Sequence, residues 1–143
     1  MKYHTQAFRH NPEAGVYGDC HRTALACILD LERDDVPHFY EGGCDSSEFN
    51  RRCKEWLASQ GLAEFKMVFN GELEGVLRTM KNVNPGVIYL LGCNSKNGCG
   101  HTVICKDDAI LHDTSQDQSG VAGPMDDGYW WVDTLVPLKF LQE

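Results

Sequence analysis

This sequence has no cluster of basic residues, no long apolar run and no apolar leader, and each absence excludes a class of function. Lysine and arginine number 13 against 21 aspartates and glutamates, a formal charge of -8. A nucleic-acid binder needs grouped cations to displace counterions from phosphates. The densest basic group, Arg51, Arg52 and Lys54, stands among Glu48 and Glu55 and reads as a solvated helix face. Nucleic acid is therefore not an expected partner. The longest apolar stretch, Val87 to Leu91, is far too short to cross a bilayer, so no membrane partner is expected. Met1 to His10 is polar and lacks the apolar core of a signal peptide, which leads to the expectation of a cytoplasmic protein. No repeat, low-complexity tract or linker divides the chain, so residues 1–143 are expected to form one domain.

Cysteine, by contrast, is plentiful. Seven thiols stand at positions 20, 27, 44, 53, 93, 99 and 105. The number is odd and no export signal accompanies it, so a disulfide framework is not expected. Most are expected to be buried as small hydrophobes, with one reactive. Cys93, Cys99 and His101 fall within nine residues and would be the zinc ligands, with Cys44 or Cys53 as the fourth, if the chain held a metal. They do not make the paired CxxC spacing of structural zinc, so neither a metal nor another cofactor is expected.

Hydrophobic periodicity orders the elements. Lys2 to Phe8 reads as extended, followed by a polar loop from Arg9 through Gly18. Asp19 is a good helix N-cap. Ala24, Leu25, Cys27, Ile28 and Leu31 then recur at helical spacing, predicting a helix from about Cys20 to Asp30. Asp45 to Ser47 cap a second helix with Phe49, Cys53, Trp56 and Leu57 on one face, stopped by Gly61. Leu62 to Phe69 reads as a strand in which Phe65, Met67 and Phe69 alternate with Glu64, Lys66 and Val68, and Glu72 to Met80 as a short helix. The last third predicts antiparallel sheet: Val87 to Gly92, His101 to Cys105, Ala109 to Asp113 across a Lys106-Asp107-Asp108 turn, and Tyr129 to Val132 after a long loop. The expectation is an α+β domain, with N-terminal helices packed on a C-terminal antiparallel sheet.

Within that frame one constellation carries chemistry. Cys20 follows the helix cap, where the helix dipole and free first-turn amides favour a thiolate and are placed to hold an oxyanion. Its helical neighbour His21 projects about 100° away around the axis, so a base must come from elsewhere. His101 opens a strand after Gly98-Cys99-Gly100, and Asp113 ends the next. A hairpin through residues 106 to 108 lays the start of the first strand beside the end of the second, where Asp113 can orient the His101 ring.

Gly18-Asp19-Cys20-His21-Arg22-Thr23-Ala24-Leu25-Ala26-Cys27, followed by Asp34-Asp35-Val36-Pro37, resembles the nucleophile helix of small papain-like cysteine peptidases carried by bacteriophages and bacteria. Their layout is related to that of bacteriocin-processing, C39-like peptidases. Gly100-His101-Thr102-Val103-Ile104 and Leu111-His112-Asp113-Thr114 resemble the second motif, with Thr114 where many relatives carry Pro. The resemblance implies a papain-like fold, Cys20 as nucleophile, His101 as base, Asp113 as orienting acid and Gln6 as the oxyanion residue. Gln6 precedes Cys20 by a longer interval than papain-like enzymes use, so Arg9 to Tyr17 must loop out.

The function expected is a thiol hydrolase (peptidase, isopeptidase or amidase) acting through an acyl-enzyme on a peptide, protein or acyl-amide substrate. The same triad would serve an acyl transferase or a deamidase. A different class is a non-catalytic phage or bacterial binding module that keeps the fold and grips a host protein partner, in the host cytoplasm if phage-encoded. His112 is the rival base, but as Asp113's neighbour on a strand it should face the other side of the sheet. His4, His10 and His38 read as surface residues. Of Trp130 and Trp131, adjacent on a strand, one should face the core.

Overall fold

In the computed structural model, which describes residues 1–141, the first helix, α1 (Cys20–Ile28), is the most deeply buried element. Ala24, Leu25, Ala26 and Cys27 are all fully enclosed, because small side chains let this helix seat directly against the sheet. The second helix, α2 (Ser46–Ser59), starts where Asp45 Oδ1 accepts from the Glu48 amide at 2.8 Å, and ends before Gly61 with φ +74°. It buries only Cys53 and Leu57, as expected of a helix with one apolar stripe. The third, α3 (Leu73–Val83), buries Val76, Leu77 and Met80.

Six strands form one antiparallel sheet: β1 (Leu62–Phe69), β2 (Ile88–Ser95), β3 (Gly100–Lys106), β4 (Ala109–Asp113), β5 (Val121–Gly123) and β6 (Trp130–Pro137). The order is β1-β6-β2-β3-β4, with β5 paired to the end of β2. The alternating side chains of the central strands serve two cores. Leu90 and Ile104 meet α1 and α2 in one, while Tyr89, Leu91, Val103, Cys105 and Val132 meet α3 in the other. The α+β class and the antiparallel sheet stand as expected from the sequence. Their arrangement is richer than helices on one side: α3 has its own core, and the sheet takes its β1 edge from the middle of the chain. Among the described residues no helix is long and apolar enough to cross a membrane.

Three features go beyond the expectations above. In β1 it is the acidic and not the aromatic neighbour that is enclosed: Phe65 is 52% exposed while the Glu64 side chain is 7% exposed. The polar face of this strand is turned toward α1 and α2, for a reason that lies in the site below. The loop from Thr114 to Gly128 also contains β5, a strand of three residues too short to carry a periodic signal. The segment Met1 to Phe8, expected to be extended, joins no strand. It crosses from the end of α1 to the end of β4, with the Lys2 amide on Cys27 O and the Gln6 amide on Thr114 O at 2.8 Å.

Candidate active site

Cys20 opens α1 at the N-terminal end of β3, half-buried in the wall of a cavity of about 590 Å3. Asp19 occupies the N-cap position, but its carboxylate does not cap the first turn. Oδ1 accepts from the Phe8 amide at 2.9 Å, and Oδ2 accepts from the Ala7 amide at 3.2 Å and Arg22 Nε at 2.9 Å. The correction has a structural logic. Asp19 gives up the cap to fasten the Gln6 segment to α1, and the first-turn amides of α1 are left without its carboxylate. Thr23 secures the helix start instead, through its amide and hydroxyl on Asp19 O.

The His/Asp pair comes from the hairpin of β3 and β4. His101 is the second residue of β3 and Asp113 the last of β4, with Val103 and Asp113 in register. His101 Nε2 and Asp113 Oδ1 are 2.6 Å apart. Asp113 is itself held: Oδ1 accepts from the Ser115 amide at 2.9 Å and Oδ2 from the Gly120 amide at 2.8 Å. With Nε2 engaged, Nδ1 is the ring nitrogen left for Cys20.

Electrostatics follow the geometry. Burial pushes the Cys20 thiol up, but His101 beside it, the charge of His21 and the Thr102 amide together hold it below its usual value. Burial also works against the His101 imidazolium, yet Cys20 and Asp113 raise it to about 9. Asp113 is held below the usual carboxylate range against its own burial, by His101 and by the Ser115 amide. Thiolate and imidazolium are the mutually supported forms.

Gln6 lines the same cavity and is 8% exposed. Its Nε2 donates one hydrogen to Phe8 O at 2.6 Å and keeps a second. The residues between it and Cys20 loop out, closed by a two-way backbone bridge between Asn11 and Val16. Cys20, His101 and Gln6, distant in sequence, thus line one cavity, with Asp113 behind the His101 ring.

The other candidates lie elsewhere. His112 Nε2 contacts His4 O at 2.6 Å, away from the cavity. Cys93 is fully buried with its thiol donating to His101 O, and Cys99 pairs with Ser95 Oγ, so neither forms a ligand set with His101. His10 and His38, read from sequence as surface residues, line the cavity. His10 Nδ1 accepts from the Gly18 amide, and His38 stacks on Phe8 at 5.6 Å. Trp130 is buried and donates to Gly71 O, while Trp131 lines the cavity with its indole on Asp127.

A second polar cluster, unread in the sequence, underlies this site. His21 Nε2 is 2.8 Å from Glu64 Oε1, and His21 Nδ1 is 3.3 Å from Thr102 Oγ1. Cys53 donates to Glu64 Oε1 at 3.4 Å. Lys66 Nζ bridges Glu64 Oε2 at 2.9 Å and Asp133 Oδ2 at 3.1 Å, while Asp133 Oδ1 is buried without a partner. His21, Cys53 and Glu64 offer donor atoms within 4.8 Å of one another. Those atoms are already joined by hydrogen bonds, and the Lys66 ammonium stands beside them, which suits a proton-linked network better than a cation. The one sequence signal for the cluster was the acidic and basic pair Glu64 and Lys66 inside an otherwise apolar strand.

Comparison with protein families, with curated proteins and with solved structures finds no match to this chain.

Proposed function

We propose that this chain is a cysteine hydrolase of papain-like design, acting on an amide, isopeptide or thioester carbonyl. The observation that carries the reading is the convergence of Cys20 and His101 from two separate elements on one cavity, with Asp113 of a third element behind the His101 ring and thiolate and imidazolium mutually stabilised.

The Cys20 thiolate attacks the carbonyl carbon, and the C=O electrons move onto oxygen. The oxyanion falls between the free amide of Cys20 at the start of α1 and the second Nε2 hydrogen of Gln6. As the tetrahedral species collapses, His101 gives its Nδ1 proton to the leaving amine and a thioester remains on Cys20. Water then yields a proton to Nδ1 while its oxygen attacks the thioester, releasing the acid and the thiolate. Asp113 keeps the ring oriented throughout without taking the proton. An amine in place of water would make the same apparatus a transferase.

The test is alkylation at pH 6 with iodoacetamide, followed by mapping of the modified peptide by mass spectrometry. Cys20 is expected to be labelled well ahead of the other six thiols, and incubation with acyl-amide or thioester probes to leave an acyl group on Cys20. Labelling spread evenly over the thiols would remove the nucleophile and favour the binding module.

A further inference from the structure

The reading of Cys20 as nucleophile leaves the buried cluster beneath it unexplained. A network of buried charges is poor material for stability, because apolar side chains of similar volume do as well or better. Here the His21 and Glu64 side chains are only 11% and 7% exposed, and Lys66, Asp133 and Cys53 surround them. Glu64 comes from β1, Cys53 from α2 and Thr102 from β3, so three elements supply polar groups to one imidazole, and Asp133 of β6 joins through Lys66. The strand β1 leaves Phe65 in solvent to do so.

We infer that His21 is a positioning residue for Cys20: its imidazolium, clamped between Glu64 and Thr102, is a second fixed positive charge that holds the sulfur as thiolate. Two routes connect them. The first is direct, since His21 adjoins Cys20 in α1 and a charge shielded from water acts strongly over short distances. The second runs through Thr102: His21 Nδ1 lies 3.3 Å from its hydroxyl, and the same residue's amide is among the groups that lower the Cys20 thiol. Both ring nitrogens face oxygen atoms, an arrangement that the doubly protonated ring satisfies by donating from both.

The surrounding charges agree with this. Burial disfavours a charged His21, but Glu64 and Cys53 hold it well above the usual histidine value. Glu64, despite its burial, is kept ionised by His21 and Lys66, and Lys66 is raised to about 12 by Asp133 and Glu64 against its own burial. Burial raises Asp133, against the pull of the Lys66 and His21 charges. Of the two cations in the cluster, His21 is the one that adjoins Cys20 in the chain. His101, on β3, is the other cation facing Cys20, and it is mobile chemistry's partner, whereas His21 keeps its proton through the cycle.

The experiment follows Cys20 alkylation rates from pH 4 to 9 in the full chain. For H21Q the labelling midpoint is expected to rise by about one pH unit, leaving Cys20 labelled about tenfold more slowly at pH 6. A wild-type profile in folded H21Q would overturn the inference while leaving the nucleophile in place. If H21Q fails to fold because Glu64 loses its partner, H21Q/E64Q removes both charges together; the midpoint is then expected to rise by less than in H21Q, because a negative charge that opposes the thiolate goes too, and no rise would overturn the inference. A titration of the wild-type His21 ring by nitrogen NMR needs no variant. The ring is expected to remain doubly protonated from pH 5 to 8, and a neutral His21 at pH 7 would overturn the inference. Slow Cys20 labelling in the wild type would instead count against the hydrolase reading.

Discussion

Burial separates Cys20 from four other thiols. It pushes Cys93 and Cys105 far up, Cys105 to about 12, and raises Cys27 and Cys53, whereas Cys20 is lowered despite its burial. C20A should therefore abolish both turnover and low-pH labelling, read by acyl-probe hydrolysis and peptide mapping. H101A should cost about 10²–10⁴-fold in turnover, the usual range for a general acid–base group. The pH dependence has a defined sign. Activity is lost on the acid side as the Cys20 thiolate takes a proton, and on the alkaline side as His101 loses its own at about pH 9. A kcat/KM profile with no alkaline limb near 9 would contradict the ion pair. Cys20, His101 and Asp113 were readable because each sits at the end of a segment whose periodicity marks it, and ends of elements are where side chains reach a cleft. Glu64 was not readable as a partner of His21: it lies 43 residues away, and only the pairing of β1 with β6 turns its face inward.

At the scale of elements, the joint between the first segment and α1 rests on Asp19. D19A would leave Arg22 buried without its carboxylate and free the Ala7 and Phe8 amides. It is expected to cost about 3–5 kcal/mol, measured by urea unfolding, and to release Gln6 from the cavity. At the start of α2, D45A loses one side-chain cap and should cost about 1 kcal/mol without touching Cys20 labelling. The contrast separates a cap that holds one helix from a carboxylate that joins two elements. Both aspartates read alike in sequence, as polar residues before an apolar period. Their difference is set by what arrives from elsewhere in the chain, and for Asp19 that is a segment with amides to satisfy. Gly43 makes a similar point about loops. At φ +76° it lies so close to the Tyr17 ring that a Cβ would stand 2.6 Å from it, so a side chain there would break the stacking of Tyr17 on Tyr40.

For the molecule as a whole, the buried charges set how stability follows pH. Glu64 and Asp113 are ionised in the fold below their ordinary range, so their contribution is present above about pH 4 and is lost as pH falls further. Between about pH 6.5 and 8.5 the Cys20–His101 pair holds one proton folded or unfolded, and contributes no slope. His21 differs: it keeps a proton that the unfolded chain has released, so stability should fall as pH rises, by about 1.4 kcal/mol per unit. Urea midpoints from pH 5 to 8.5 would test this, and a flat curve would show His21 neutral. The pairing of β1 with β6 has a consequence in time. It joins Lys66 to Asp133 across 67 residues, a long loop to close, and rate falls as contacts become less local. A refolding chain can thus assemble the β3–β4 hairpin and its His101–Asp113 pair early, while the charges beneath the thiol wait for the sheet to close. Alkylating pulses during refolding would then see an inert Cys20 awaken late, making this thiol a built-in clock for the completion of its own fold.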